Sequence, residues 1–85
     1  MIAVKLAYYR KKDWEKFIRM IDDRQSMHDN WNDWHKAFIK TKSDLISQGF
    51  EVTDIEIDLN ELTDYCKLRG IKNDGKARSQ FVQTK

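Results

Sequence analysis

Residues 27–46 decide most of what this chain can become. At 100° per residue, Met27, His28, Trp31, Trp34, His35, Phe38, Ile39, Lys42, Leu45 and Ile46 fall on one side of a helix. Asp29, Asn32, Asp33, Lys36, Lys40, Asp44 and Ser47 fall on the other. Ser26-Met27-His28-Asp29 resembles a capping box with Asp in place of Glu, and predicts the start. Gly49 stands where a left-handed C-terminal residue belongs, with Phe50 after it to make the accompanying apolar contact. A long helix with so wide an aromatic stripe must be covered by the rest of the chain.

The flanking segments supply the cover. Ile2, Val4, Leu6 and Tyr8 alternate with Ala3, Lys5, Ala7 and Tyr9, which reads as a strand with Tyr8 turned inward and Tyr9 outward. Asp13 is a candidate cap for a helix running to about Arg24, with Trp14, Phe17, Ile18 and Ile21 at helical spacing. Val52, Ile55 and Ile57 mark a second strand, and the parity mismatch between Val52 and Ile55 suggests a bulge near Thr53-Asp54. Asp58 caps a third helix that ends at Gly70, Asn73-Asp74-Gly75 is a turn, and a short last helix runs from Lys76 to about Gln83. The order is β-α-α-β-α-α. A strand, two antiparallel helices and a returning strand give an α+β fold with a two-stranded antiparallel sheet on a helical hairpin, followed by a helix–loop–helix. Two strands are marginal alone, so edge pairing in a homodimer, giving a four-stranded sheet, is a further expectation.

The 85 residues suit one domain, 1–85, with residues 58–85 as a subregion. A single Cys66 rules out an internal disulfide, no apolar run is long enough to span a membrane, and the first ten residues do not read as a signal peptide. The expectation is a soluble, cytoplasmic protein. The net charge of +2 conceals an asymmetry: +4 over residues 1–12, −6 over 49–66 and +5 over 67–85. The basic ends either meet phosphate or an acidic partner, or offset the acidic strand within the fold.

Candidate chemistry is sparse. His28, His35 and Lys42 lie seven apart on the apolar face of the long helix, but no His-x-x-x-His or Cys-x-x-Cys spacing accompanies them, so no metal is expected. Cys66 sits among apolar helix positions, where a buried small hydrophobe is usual. There is no phosphate-cradling glycine loop, serine elbow or paired-carboxylate motif. No enzyme activity and no cofactor are expected.

One segment carries a lead. Residues 58–82 contain Leu62, then Arg69-Gly70-Ile71, then Gly75-Lys76 opening the last helix. This resembles the SAP motif, a helix–extended loop–helix module that binds nucleic acid. Ala77 stands where that family usually has a second lysine, Phe81-Val82 falls one residue late, and Asp74 puts a negative charge in the loop. The chain as a whole is similar to small bacterial single-domain proteins, a likeness that implies no activity. The resemblance implies phosphate contacts to DNA or RNA through Arg69, Lys72, Lys76 and Arg78, joined by Arg10, Lys11 and Lys12. The alternative is a protein–protein interaction module, possibly a homodimer, that uses an edge strand or the aromatic helix face.

Overall fold

The computed structural model describes residues 2–85. Strand β1 (Ala3–Tyr8) leads through a 3-10 turn at Lys11–Asp13 into helix α1 (Trp14–Met20). A second 3-10 turn at Arg24–Ser26 precedes the long helix α2 (Trp31–Ser47), then strand β2 (Glu51–Glu56), helix α3 (Leu59–Arg69) and helix α4 (Gly75–Gln83). The α+β class and the β-α-α-β-α-α order are as expected, but the two strands are parallel, not antiparallel, with Ala3 opposite Glu51 and Tyr8 opposite Glu56.

Helix lengths explain the direction. An antiparallel pair would need α1 and α2 to cancel each other's travel. Helix α1 has seven residues and advances the chain only about 10 Å, whereas the 17 residues of α2 advance it about 25 Å, more than the roughly 20 Å of a six-residue strand. Helix α2 alone therefore carries the chain back along the sheet. Its first residue donates from Trp31 Nε1 to the Tyr9 carbonyl at 2.8 Å, just past the end of β1. Just past its last turn, Glu51 N donates to the Ile2 carbonyl at the start of β1 (2.9 Å). A crossover of this kind returns the chain parallel.

Helix ends follow local chemistry. Asn30, not Ser26, caps α2: its Oδ1 accepts from Asp33 N at 2.9 Å, because residues 24–26 are already wound into the 3-10 turn. At the other end Gly49 has φ of 93°, and Phe50 N and Gly49 N donate to the Leu45 and Ile46 carbonyls, a Schellman closure. Helix α1 stops at Met20 instead of reaching Arg24, since Ile21 turns extended and enters the core. Asp58 Oδ1 accepts from Asn60 N and Glu61 N to start α3, and Asp74 Oδ1 accepts from Ala77 N to start α4.

Both sheet faces are covered, which overturns two expectations. The rings of Trp34 and Phe38 on α2 lie 5.6 and 5.3 Å from Tyr8 on one face. On the other, Tyr9 stacks on Phe17 of α1 at 4.1 Å and is only 5% exposed, more buried than Tyr8. The strands pair residue for residue without a bulge. Val52 and Ile55 differ in parity because each is half-buried on its own side of a sheet packed on both faces.

Candidate interaction surface

The expected phosphate-binding cations are placed in three different situations. Arg78 is inside the fold, 6% exposed. Its Nη1 and Nη2 donate to Asp23 Oδ1 and Oδ2 at 2.9 and 2.8 Å, and Nη1 also donates to the Asn73 carbonyl and Oδ1 at 3.1 and 3.2 Å. Asp22 and Asn73 lock the same junction, with Asp22 N donating to the Asn73 carbonyl and Asn73 N to Asp22 Oδ2. Arg78 is thus a clamp between the α1–α2 connection and α4, and it is withdrawn from any surface contact. Its hydrogen bonds hold the Asp23 carboxyl below the ordinary aspartate range. Burial pushes the Tyr9 hydroxyl, which lies against the same guanidinium, up to about 12.

Arg10 is engaged with Asp13 (2.7 Å) and Glu56 (3.3 Å), and Lys11 Nζ sits 5.8 Å above the Trp31 ring. Lys12 is exposed. Arg69, Lys72 and Lys76 are also exposed, the first with its guanidinium 3.8 Å from the Tyr65 ring. Lys72 and Lys76 border a surface depression of about 290 Å³ that Asp74 shares. The start of α4, where a phosphate would sit by the resemblance, already holds the Asp74 carboxylate, and the Asp23 carboxylate lies beside Gly75. Two internal carboxylates occupy the positive helix end.

Two of the three polar residues of the stripe have partners within the fold. His35 stacks on Trp31 at 4.4 Å, Lys42 pairs with Asp54 at 3.0 Å, and His28 is exposed. Cys66 is buried, which raises its thiol above the ordinary range, and its Sγ faces the Lys72 carbonyl.

An edge strand is one interface the sequence suggests, but the sequence does not say that it is the outer edge of β1. In a parallel ladder, every second residue of a strand makes both its bonds to one neighbour. The Ile2 and Tyr8 carbonyls accept from Glu51 N and Ile57 N, which fixes the phase: even residues of β1 face β2. Ala3, Lys5 and Ala7 then point their N–H and C=O groups away from the sheet. Among the described residues no backbone or side-chain partner meets these six groups. The free register ends at Tyr9, whose carbonyl is taken by Trp31.

This edge lies between two walls. On the α4 side a groove of about 280 Å³ runs beside Lys5 and Ala7, walled by Ser79, Val82 and Gln83. On the α2 side a groove of about 210 Å³ runs beside Leu6, walled by Ala37, Phe38 and Thr41. Trp34, Leu6 and Ala7 line both, so the two grooves meet over the end of the strand. The outer edge of β2 differs. Its side chains toward α2 include Asp54 and Glu56, paired to Lys42 and Arg10, and charges of this kind blunt an edge.

Comparison with protein-family models, with curated proteins and with solved structures returns no match. The surface geometry alone must carry the functional reading. No described helix is long and apolar enough to cross a membrane.

Proposed function

We propose that the protein is a non-enzymatic interaction module that takes an extended segment of another polypeptide as a third strand on the outer edge of β1. The observation that carries this reading is the row of unpaired main-chain groups at Ala3, Lys5 and Ala7, set between two side-chain grooves. Strand addition uses those parts: main-chain bonds supply affinity, and pockets for alternate side chains supply selectivity. The nucleic-acid reading keeps Arg69, Lys72, Lys76 and Lys12 on the surface, but it loses Arg78 and finds carboxylates at the helix start it relies on.

The position of Lys85 gives a direct test. Lys5 Nζ donates to the Lys85 carbonyl, so the end of the chain lies beside the free edge. A seven-residue strand, apolar on each side of a central threonine, is appended after Lys85 through six Gly/Ser residues. A flexible linker of that length spans about 13 Å and holds the strand at millimolar effective concentration. Amide hydrogen exchange followed by NMR should slow at Ala3, Lys5 and Ala7, and Ala7→Pro should abolish the effect. The reading fails if these amides exchange as fast with the strand as without it. Oligonucleotide that shifts the amides of Arg69, Lys72 and Lys76 would then favour the rival.

A further inference from the structure

The two grooves beside the free edge differ in chemistry. The α4-side groove mixes Lys5, Ser79 and Gln83 with Val82. The α2-side groove is lined mainly by the apolar side chains of Leu6, Trp34, Ala37 and Phe38, and among the described residues neither a carboxylate nor an ammonium borders it. His28 and Thr41 are its polar members. Ala37 and Thr41 stand one turn apart on the flank of α2 that borders the β1 edge, and both are short, which leaves the space open. The groove measures about 210 Å³, whereas a cavity of about 150 Å³ lined by aliphatic and aromatic groups already takes up benzene. One aromatic ring fits.

We infer that the segment recognised at this edge carries an aromatic residue opposite Leu6, with its ring in the α2-side groove. This rests on the strand-addition reading. Leu6 has the parity of Tyr8, whose ring meets Trp34 and Phe38 of α2, so a residue opposite Leu6 projects to the same side. The main-chain groups of Leu6 serve β2. In an antiparallel addition Leu6 therefore sits in a non-hydrogen-bonded pair, where side chains approach most closely, with Cα atoms about 4.5 Å apart. Trp34 and Phe38 meet the incoming ring there. Aromatic pairs gain more than buried area alone supplies, which favours a ring over an aliphatic chain of similar size. The next residue of the strand turns to the α4 side, where the mixed lining sets no single requirement.

The β1 edge of a second copy does not supply that ring. Tyr8 packs on Trp34 and Phe38 of its own chain, and Tyr9 stacks on its own Phe17, so neither tyrosine at the end of β1 is free to cross. The occupant is a strand of a different polypeptide.

The test makes both neighbours of the central threonine in the appended strand phenylalanine in one version and serine in the other. The two neighbours share a face, so one of them meets Leu6 whichever way the strand runs. The phenylalanine version should slow amide exchange at Ala3, Lys5 and Ala7 at least about 5-fold more than the serine version. Its ring protons should show NOEs to the Ala37 and Thr41 methyl groups, a readout that needs no variant of the domain. Ala37→Leu fills the groove and should remove the advantage of phenylalanine, with tryptophan fluorescence showing that the fold is kept. Equal slowing by the two versions, a ring without contact to those methyls, or an advantage that survives Ala37→Leu overturns the aromatic anchor while leaving strand addition intact. No slowing by either version overturns both.

Discussion

Removing the carboxylate of Asp23 should take away a large share of the protein's stability. The Arg78 guanidinium has a side-chain exposure of 7%, makes four donor contacts to Asp23 and Asn73, and lies 5.5 Å from the Phe17 ring. Its pKa is raised further above the ordinary arginine value, so it cannot escape by losing its proton. In Asp23→Ala the charge stays buried with only the Asn73 oxygens for company. Breaking one side of a buried pair costs about 3–5 kcal/mol. A domain of 85 residues has about 4–13 kcal/mol in total. The reverse change should cost less. Arg78→Met keeps the aliphatic packing and leaves Asp23 unpaired, but the Asp23 side chain is 19% exposed and can be rehydrated, at about 1–3 kcal/mol.

Urea unfolding followed by tryptophan fluorescence reads both, because Trp14 and Trp34 are 4% and 8% exposed. With a slope near 1 kcal/mol per molar, Asp23→Ala should lower the midpoint by about 3 M or abolish the transition. The acid side has a definite sign. The folded Asp23 pKa lies below its unfolded value, so the pair's contribution is complete above the ordinary aspartate pKa and is lost as pH falls through the folded one. The Asp23→Ala curve should be flatter over that window. A cost under about 1 kcal/mol for Asp23→Ala, or a larger cost for Arg78→Met, would refute the clamp. The point bears on function too: charge reversal at Arg78 tests folding before it tests phosphate binding.

The ladder phase predicts opposite fates for adjacent prolines. Leu6→Pro deletes an N–H that serves β2 and should cost at least about 1 kcal/mol more than Ala7→Pro, whose N–H faces outward, in the same urea assay. Tyr9 should ionise only near pH 12 in an ultraviolet titration. Since its folded pKa of about 12 exceeds the unfolded value near 10, stability should be intact below pH ~10 and fall by about 2–3 kcal/mol as pH rises through 12. Trp14→Phe should stay within about 1 kcal/mol of the parent, because the buried Trp14 Nε1 has no partner to lose; Phe17→Ala, fully buried, should cost about 3–5 kcal/mol by thermal or urea unfolding.

Much of the fold was legible because it is local. Gly49, Asp58 and Gly70 end or begin helices through chemistry contained in a few residues, and the stripe of α2 is periodic. Strand direction is not local. Alternation in β1 and β2 reads the same whichever way the partner runs, and the discriminating quantity was the unequal length of α1 and α2. The rival caps Ser26 and Asn30 each have an aspartate three residues on, and only the intervening 3-10 turn, with Arg24 Nη1 donating to the Met27 carbonyl, decides between them. The Tyr8–Tyr9 inversion has the same origin, since parity names an inner face only when one face is buried. The fate of Arg78 was hidden because its partner Asp23 is 55 residues away.

The charge asymmetry joins these threads. The acidic stretch is largely consumed inside the fold: Glu56 by Arg10, Asp54 by Lys42, Glu61 by Lys85, and Asp58 by the start of α3. Those pairings draw in part of both basic ends, which is why the basic residues do not gather into one phosphate-binding face. Parallel pairing then decides which main-chain groups are left open. With α2 over one face and α4 against β1 on the other, the unsatisfied main chain is confined to the strand edges. The β2 edge carries Asp54 and Glu56, paired to Lys42 and Arg10, whereas the Lys5 ammonium beside the β1 edge is turned to the Lys85 carbonyl. An external strand gains most at the β1 edge, where main-chain groups of Ala3, Lys5 and Ala7 lie open between two grooves.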